Sequence, residues 1–268
     1  MSAAVMQSTT APVRMEVVKG IAKIVFDRPQ ALNAINIESA QAFLTLCEQL
    51  PTRDDVRVII LSGAGRAFMA GGDLAAFRSS DDPAQLASAI IEPLHRALTL
   101  LSELPQPVIS SVHGPVSGAG MSIALGCDMT IAAANTRFCL AYSNIATSID
   151  GGGSWHLLHQ LGLQRSMEMA LLNTVLSAEE ALKLGLITRV VSEGQVEAET
   201  ACLALQLASG PTFAYGQIKR LLRQAGTSTY AQQLNAEHES FRACASTSDF
   251  REGIAAFFAK RKAVFINR

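Results

Sequence analysis

The sequence predicts an α/β fold in which a core of repeated β, β, α units is followed by a C-terminal region of helices alone. Three observations carry this. Short strand-like runs alternate with helical runs through the first two thirds of the chain. Two glycine-bearing runs, Arg66 to Leu74 and His113 to Gly120, each follow a predicted strand. From Val196 onward the pattern is nearly all helical. The expected division is a loose N-terminus at residues 1–12, a core at 13–195 and a helical region at 196–268.

Arg14 to Val18 and Ile21 to Asp27 read as strands around the turn-like pair Lys19-Gly20, which predicts an opening hairpin that Asp27-Arg28-Pro29 stops. Ile37, Ala40, Leu44 and Cys47 recur at helical spacing until Pro51, and a strand is expected over Val56 to Ser62. A long helix, roughly Ala84 to Leu104, leads through Pro105 and Pro107 to the strand Val108 to Val112. Met121 to Leu125 reads as a buried helix, and Met129 to Ala133 and Arg137 to Leu140 as short strands. Ile149-Asp150-Gly151-Gly152-Gly153 is a loop that opens another helix. In the last third, Leu234, His238 and Phe241 share a helix face, and Ile254, Phe257 and Phe258 follow. Such stripes pack either on their own core or against another subunit.

At 268 residues, 49% hydrophobic and 17% charged, the chain has an ordinary globular composition with material for one large domain and an appendage. Its formal net charge of -1 argues against nonspecific binding of nucleic acid, which needs clustered Lys and Arg. Five cysteines with no CxxC spacing, mostly in apolar segments, read as reduced thiols, and a cytoplasmic location follows. No apolar run reaches membrane-spanning length, and the first dozen residues lack the pattern of a signal peptide.

Several familiar motifs fail on inspection. The third glycine of a dinucleotide fingerprint begun at Gly63 would fall at Phe68, which blocks close approach of a pyrophosphate. Neither glycine run carries a Walker lysine. Gly120-Met121-Ser122-Ile123-Ala124 has alanine where a nucleophile elbow needs glycine, so Ser122 reads as packing. His238-Glu239 has Arg242 where a zinc protease helix needs its second histidine.

The two glycine runs are suited to aiming two main-chain N–H groups at one developing oxyanion, because neither places a bulky side chain where a ligand touches backbone. Together with Asp27 to Ala34, Gly65 to Leu74, Pro107 to Asp128, Leu176 to Ala181, Gly185-Leu186 and the ending Arg251 to Phe265, they make the chain resemble the crotonase superfamily of enoyl-CoA hydratases and isomerases over nearly its whole length. The resemblance implies a crotonase-like spiral of ββα units with a C-terminal helical trimerisation region, assembled as a homotrimer or hexamer. It also implies an acyl-CoA substrate, with coenzyme A present as part of that substrate and no metal or further cofactor. By the same resemblance the oxyanion hole is formed by the N–H groups of Gly72 and Ala119. Gln30, Ala31 and Leu32 with Ala70, Gly72, Asp73, Leu74 and Ala75 line the CoA side, beside Gly118, Ala119 and Tyr142. Phe257 and Lys260 would reach the nucleotide end, in the same or a neighbouring subunit, although Lys260-Arg261-Lys262 equally fits a solvated basic face.

Hydratases of this family use two glutamates, and here those places hold Ser122 and Tyr142. Ordinary hydration, in which two carboxylates divide the work on water and carbon, is therefore not the expected main activity. Asp150 is the acid that remains. As an aspartate before glycines it also fits a plain turn or helix cap, while isomerase and dehalogenase branches of the family place a functional aspartate there. The wider match most resembles the ring 1,2-epoxyphenylacetyl-CoA isomerases, which commonly have proline where this chain has Ile149. The expected function is thus an acyl-CoA isomerase that shifts a double bond or rearranges a ring epoxide. The alternatives are another crotonase reaction, whether hydration, hydrolysis, dehalogenation or decarboxylation, or a catalytically silent CoA- or RNA-binding relative.

Overall fold

A computed structural model describes residues 11–267, so residues 1–10 of the expected loose N-terminus lie outside the described residues. β1 (Val13–Val18) and β2 (Ile21–Phe26) form the hairpin, with Val13 opposite Phe26 and Val18 opposite Ile21. Lys19 and Gly20 occupy its two-residue turn with φ of 50° and 79°, the positive pair that matches the twist of the flanking strands. α1 (Ile37–Gln49) begins at Asn36, whose side chain accepts from the Ser39 amide while the Ser39 hydroxyl accepts from the Asn36 amide. This reciprocal cap fixes the start, and the helix buries Ala40, Phe43, Leu44 and Cys47.

β3 (Val58–Gly63) starts two residues later than the sequence indicates, because the Val56 amide is spent closing a turn onto the Arg53 carbonyl. α2 (Leu74–Arg78) and α3 (Pro83–Glu103) follow. Asp82 accepts from the Gln85 amide and Pro83 stands first in α3, where its missing N–H costs nothing. β4 (Val108–Val112), β5 (Pro115–Ser117), α4 (Ala119–Gly126), β6 (Met129–Ala133) and β7 (Arg137–Cys139) come next. Then come α5 (Gly153–Leu161), α6 (Leu163–Leu172), β8 (Leu176–Ser177), α7 (Ala178–Lys183) and β9 (Arg189–Val191). β5, β8 and β9 are absent from the sequence reading, since runs of two or three residues carry no period. α8 (Val196–Ala208), α9 (Thr212–Ala225), α10 (Tyr230–Ala245) and α11 (Ser248–Phe258) complete the described chain.

The larger sheet has the order β1-β2-β3-β4-β6-β9, antiparallel only at β1 and β2, and β5-β7-β8 form a small second sheet. One face of the larger sheet meets α1 and α3 through a core in which the Phe26 ring lies 5.1 Å from Phe43 and edge-on to Phe68 at 6.2 Å. The opposite face, Val58, Ile60, Ile109 and Ile131, is covered by Ala204 and Ala208 of α8. A layer of the core thus comes from the segment assigned by sequence to the C-terminal region. Further along, Phe257 and Phe258 of α11 are each 77% exposed and Phe241 of α10 is 67% exposed.

This topology places the site. β3 and β4 are parallel neighbours, with Ile59 opposite Val108 and Ser62 opposite Ser111. The glycine runs that follow them therefore leave the sheet side by side, at the carboxyl ends where α/β sheets present ligand sites.

Candidate active site

The two glycine runs are laced together by main-chain hydrogen bonds. The Phe68 amide donates to the His113 carbonyl at 2.9 Å, Met69 to Pro115 at 3.3 Å, and Ser117 to Met69 at 2.9 Å. Beyond this ladder the chains touch at glycine on both sides. A Cβ on Gly118 would lie 3.3 Å from the Gly71 Cα, and one on Gly71 would lie 3.2 Å from the Ser117 carbonyl oxygen. Gly71 has φ +103° and Gly118 φ +52°, a region L residues enter only with strain.

Gly72 and Ala119 are the residues that follow each glycine of this contact. Gly72 sits opposite Ile35 in an isolated bridge, in which Ile35 donates to the Gly71 carbonyl and Asp73 donates to the Ile35 carbonyl. The bridge consumes the groups flanking Gly72 and turns its own amide to the other side. Ala119 opens α4, where its amide precedes the first hydrogen bond of the helix and no side chain caps it. Among the described residues neither amide meets an acceptor in the protein. Two free donors, one at the positive end of a helix, are suited to a negative oxygen.

Asp150 does not cap α5. Gly152 holds that position and no side chain caps it. The Gly153 amide instead donates to the Asp150 carbonyl at 3.1 Å, and Gly151 and Gly152 have φ of 60° and 79°. Positive φ at both central residues makes Asp150 to Gly153 a turn of the I′ kind. The turn passes so close over α4 that a Cβ on Gly153 would stand 2.4 Å from the Ser122 Oγ.

The Asp150 carboxylate points away from α5 to Tyr142, whose hydroxyl donates to Oδ1. Tyr142 is only 9% exposed and follows Ala141, which takes the left-handed φ of +58°. Burial, reinforced by the Asp150 charge, drives the Tyr142 hydroxyl well above its ordinary pKa. It therefore stays protonated and donates a hydrogen bond to the carboxylate. The Ser122 Oγ lies 3.2 Å from the same hydroxyl and, with that proton committed, acts as donor to it. Ser122 thus carries a polar role that the sequence reading assigned to packing. Oδ2 of Asp150 has no partner among the described residues.

Gln30, Ala31 and Leu32 are drawn to the first glycine run by the Ala70 amide, which donates to the Leu32 carbonyl at 3.0 Å. Leu74 and Ala75 are exposed at the start of α2. The Asp73 carboxylate is already engaged, for Oδ2 pairs with Arg28 at 2.8 Å and Oδ1 accepts from the Ala75 and Ala76 amides. Arg28 and those amides hold its pKa below the usual carboxylate range against the cost of its burial. Asp73 is thereby a brace for the loop, leaving any ligand contact there to main-chain groups. No hydrogen bond or ion pair joins Phe257 or Lys260 to the other candidates among the described residues.

One bracing residue received no role from sequence reasoning. Buried Asn33 donates from Nδ2 to the carbonyls of Ala64, Ala67 and Phe68 at 2.9, 2.8 and 3.2 Å, and Oδ1 accepts from the Arg28 amide. Behind the Asp150 turn lies a cavity of about 550 Å³, lined mainly by apolar groups including Leu98, Leu101, Ile123 and Trp155, with His95 and His156.

The family pattern described as enoyl-CoA hydratase/isomerase matches residues 16–268. The 1,2-epoxyphenylacetyl-CoA isomerase of Escherichia coli (strain K12) is 38% identical over 253 residues, 93% of this chain and 96% of that protein. A Rhodobacter capsulatus protein named "Probable enoyl-CoA hydratase" is 33% identical, over 96% and 98%. The crystal structure of an enoyl-CoA hydratase from Polaromonas sp. JS666 superposes with a TM-score of 0.89 at 32% identity, covering 95% of this chain and 99% of that one. With its α/β core, C-terminal helices and paired glycine runs, the chain belongs to the enoyl-CoA hydratase/isomerase family, the crotonases.

Proposed function

We propose that this enzyme is an acyl-CoA isomerase that works with one carboxylate. The substrate carbonyl accepts from the Gly72 and Ala119 amides, which stabilise the enolate formed when a proton leaves the α carbon. Asp150 takes that proton on Oδ2 and returns it to a different carbon, so the double bond migrates and no atoms are gained or lost. The observation that carries the reading is the Asp150 carboxylate, held by Tyr142 instead of capping α5. Ser122 and Tyr142 stand where a hydratase needs carboxylates, which favours isomerisation over addition of water.

Similarity to the E. coli 1,2-epoxyphenylacetyl-CoA isomerase supports an aryl-acetyl-CoA ring epoxide as substrate, rearranged to a seven-membered oxepin. Coenzyme A enters as part of the substrate, and the chemistry proposed needs neither metal nor further cofactor. The exposed aromatic side chains of α10 and α11 support assembly as a homotrimer or a pair of trimers, with Phe257 and Lys260 at the nucleotide end. No helix of the described residues is long and apolar enough to cross a membrane. A cytoplasmic location remains part of the proposal.

The test is incubation with a trans-3-enoyl-CoA, followed by ultraviolet absorbance of the conjugated 2-enoyl product. Conversion by the native protein and its loss in Asp150→Asn are expected. Absence of conversion, or full turnover by Asp150→Asn, overturns the reading.

A further inference from the structure

We propose that His95 is a positioning residue, which fixes the main chain behind Asp150 and so keeps the carboxylate aimed at bound substrate. The inference rests on the isomerase reading for its catalytic consequence, and on geometry alone for the tether.

The Gly151 amide donates to His95 Nε2 at 3.0 Å. Gly151 is the residue after Asp150 and occupies the first central position of the turn. This hydrogen bond ties the main chain of residues 150–153 to α3, while the Asp150 main chain is also hydrogen-bonded to the Tyr142 hydroxyl. Three successive glycines give the segment more freedom to lose than any other composition does. Without His95 the three glycines would have no tether of their own to the rest of the fold, and Tyr142 alone would have to hold Asp150. His95 sits on α3, a 21-residue helix anchored by buried Ile90, Leu94, Ala97 and Leu101. It supplies a fixed acceptor from a rigid element to a segment that lacks rigidity of its own.

The chemistry of the pair is specific. To accept, Nε2 must present its lone pair, so the ring is the neutral tautomer with its proton on Nδ1. Asp150 is then held twice: Tyr142 restrains the carboxylate, and His95 restrains the backbone. A glutamine at position 95 extends about as far as the imidazole Nε2 and offers a carbonyl oxygen as acceptor, whereas leucine fills similar space without one.

Full-length His95→Leu and His95→Gln are compared with the native protein by thermal unfolding, amide hydrogen exchange and trans-3-enoyl-CoA kinetics. The expected result for His95→Leu is at least tenfold faster exchange at Gly151, kcat lowered about tenfold, KM within twofold and an unchanged melting temperature. His95→Gln should recover most of both the protection and the kcat. Unchanged exchange at Gly151 in His95→Leu, unchanged kcat alongside faster exchange, or a Gln variant as impaired as the Leu variant overturns the proposal. If the native protein fails to convert the enoyl-CoA, the isomerase reading falls and with it the catalytic consequence. The exchange arm still decides the tether.

Discussion

The Tyr142 hydroxyl donates to Oδ1 of Asp150, eight residues along the chain, and this bond sets the aspartate apart from a helix cap while its carbonyl closes the turn to Gly153. A capping aspartate would have turned to the free amides of α5. This one faces a buried phenol whose proton is locked in place by burial and by the carboxylate itself.

Tyr142→Phe tests the weight of that bond. Hydrogen bonds to a charged group contribute about 1.5–3 kcal/mol, and removing one partner leaves the other unsatisfied. The variant is expected to lose roughly tenfold in kcat and about 1–3 kcal/mol of stability, since the Ser122 hydroxyl also loses its acceptor. Steady-state kinetics and denaturant unfolding read the two effects, and a variant indistinguishable from the native protein removes Tyr142 from the site.

Gly71 and Gly72 are neighbours in sequence with opposite steric demands. Gly71 combines φ +103° with a main-chain oxygen 3.2 Å from where its Cβ would lie, while a Cβ on Gly72 would meet only the Phe77 ring edge at 3.7 Å. Gly71→Ala should therefore cost about 2–3 kcal/mol, and Gly72→Ala less than about 1 kcal/mol. Thermal unfolding should separate the two by several degrees. Equal losses would mean that the two runs do not press on each other at Gly71.

Sequence alone was informative where a pattern extends over many residues. The hairpin, the stripe of α1 and the two glycine runs after parallel strands all carry periodicity or punctuation strong enough to read. β5, β8 and β9 were not legible, because strands of two or three residues are defined by their partners and not by their own composition. The role of Ser122 was hidden for a similar reason. A serine in an apolar helix is ordinary, and only the fold shows Tyr142, twenty residues on, within reach of its hydroxyl. The resemblance places Asp73 on the CoA side, and only its spatial neighbour Arg28, forty-five residues earlier, shows that its charge is already met.

His156 gives the protein a pH-dependent component of stability. Burial first, then the Arg223 and His159 charges, lower its pKa from 6.5 to about 4. Between those values the unfolded chain binds a proton that the folded chain excludes, so stability falls as pH drops. The contribution is fully present above about 6.5 and lost as pH passes below about 4, amounting to about 3 kcal/mol. Denaturant unfolding of His156→Gln at pH 7 and pH 4.5 should show a smaller drop than the native protein, and an identical drop would place the proton elsewhere.

Asp128 pins α9 to the core, and the geometry predicts an asymmetry between removing the anion and removing one cation. Its Oδ2 accepts from the Val108 amide at 2.8 Å and from Lys219 at 2.9 Å, while Oδ1 accepts from Arg223 at 2.7 Å. The Lys219 side chain is 8% exposed and also donates to the Leu101 and Gln106 carbonyls at 3.0 and 3.2 Å. Its burial lowers its pKa against the opposing pull of Asp128. Asp128→Ala leaves a desolvated ammonium without a counter-ion, a loss of about 3–5 kcal/mol for buried pairs. Lys219→Met replaces the stem with one of similar length and leaves Arg223 on Asp128, so it should cost clearly less. Chemical unfolding of both variants decides the matter. If Asp128→Ala is no more destabilising than Lys219→Met, the ion cluster does not hold the helix, and apolar contact alone must account for how α9 is seated.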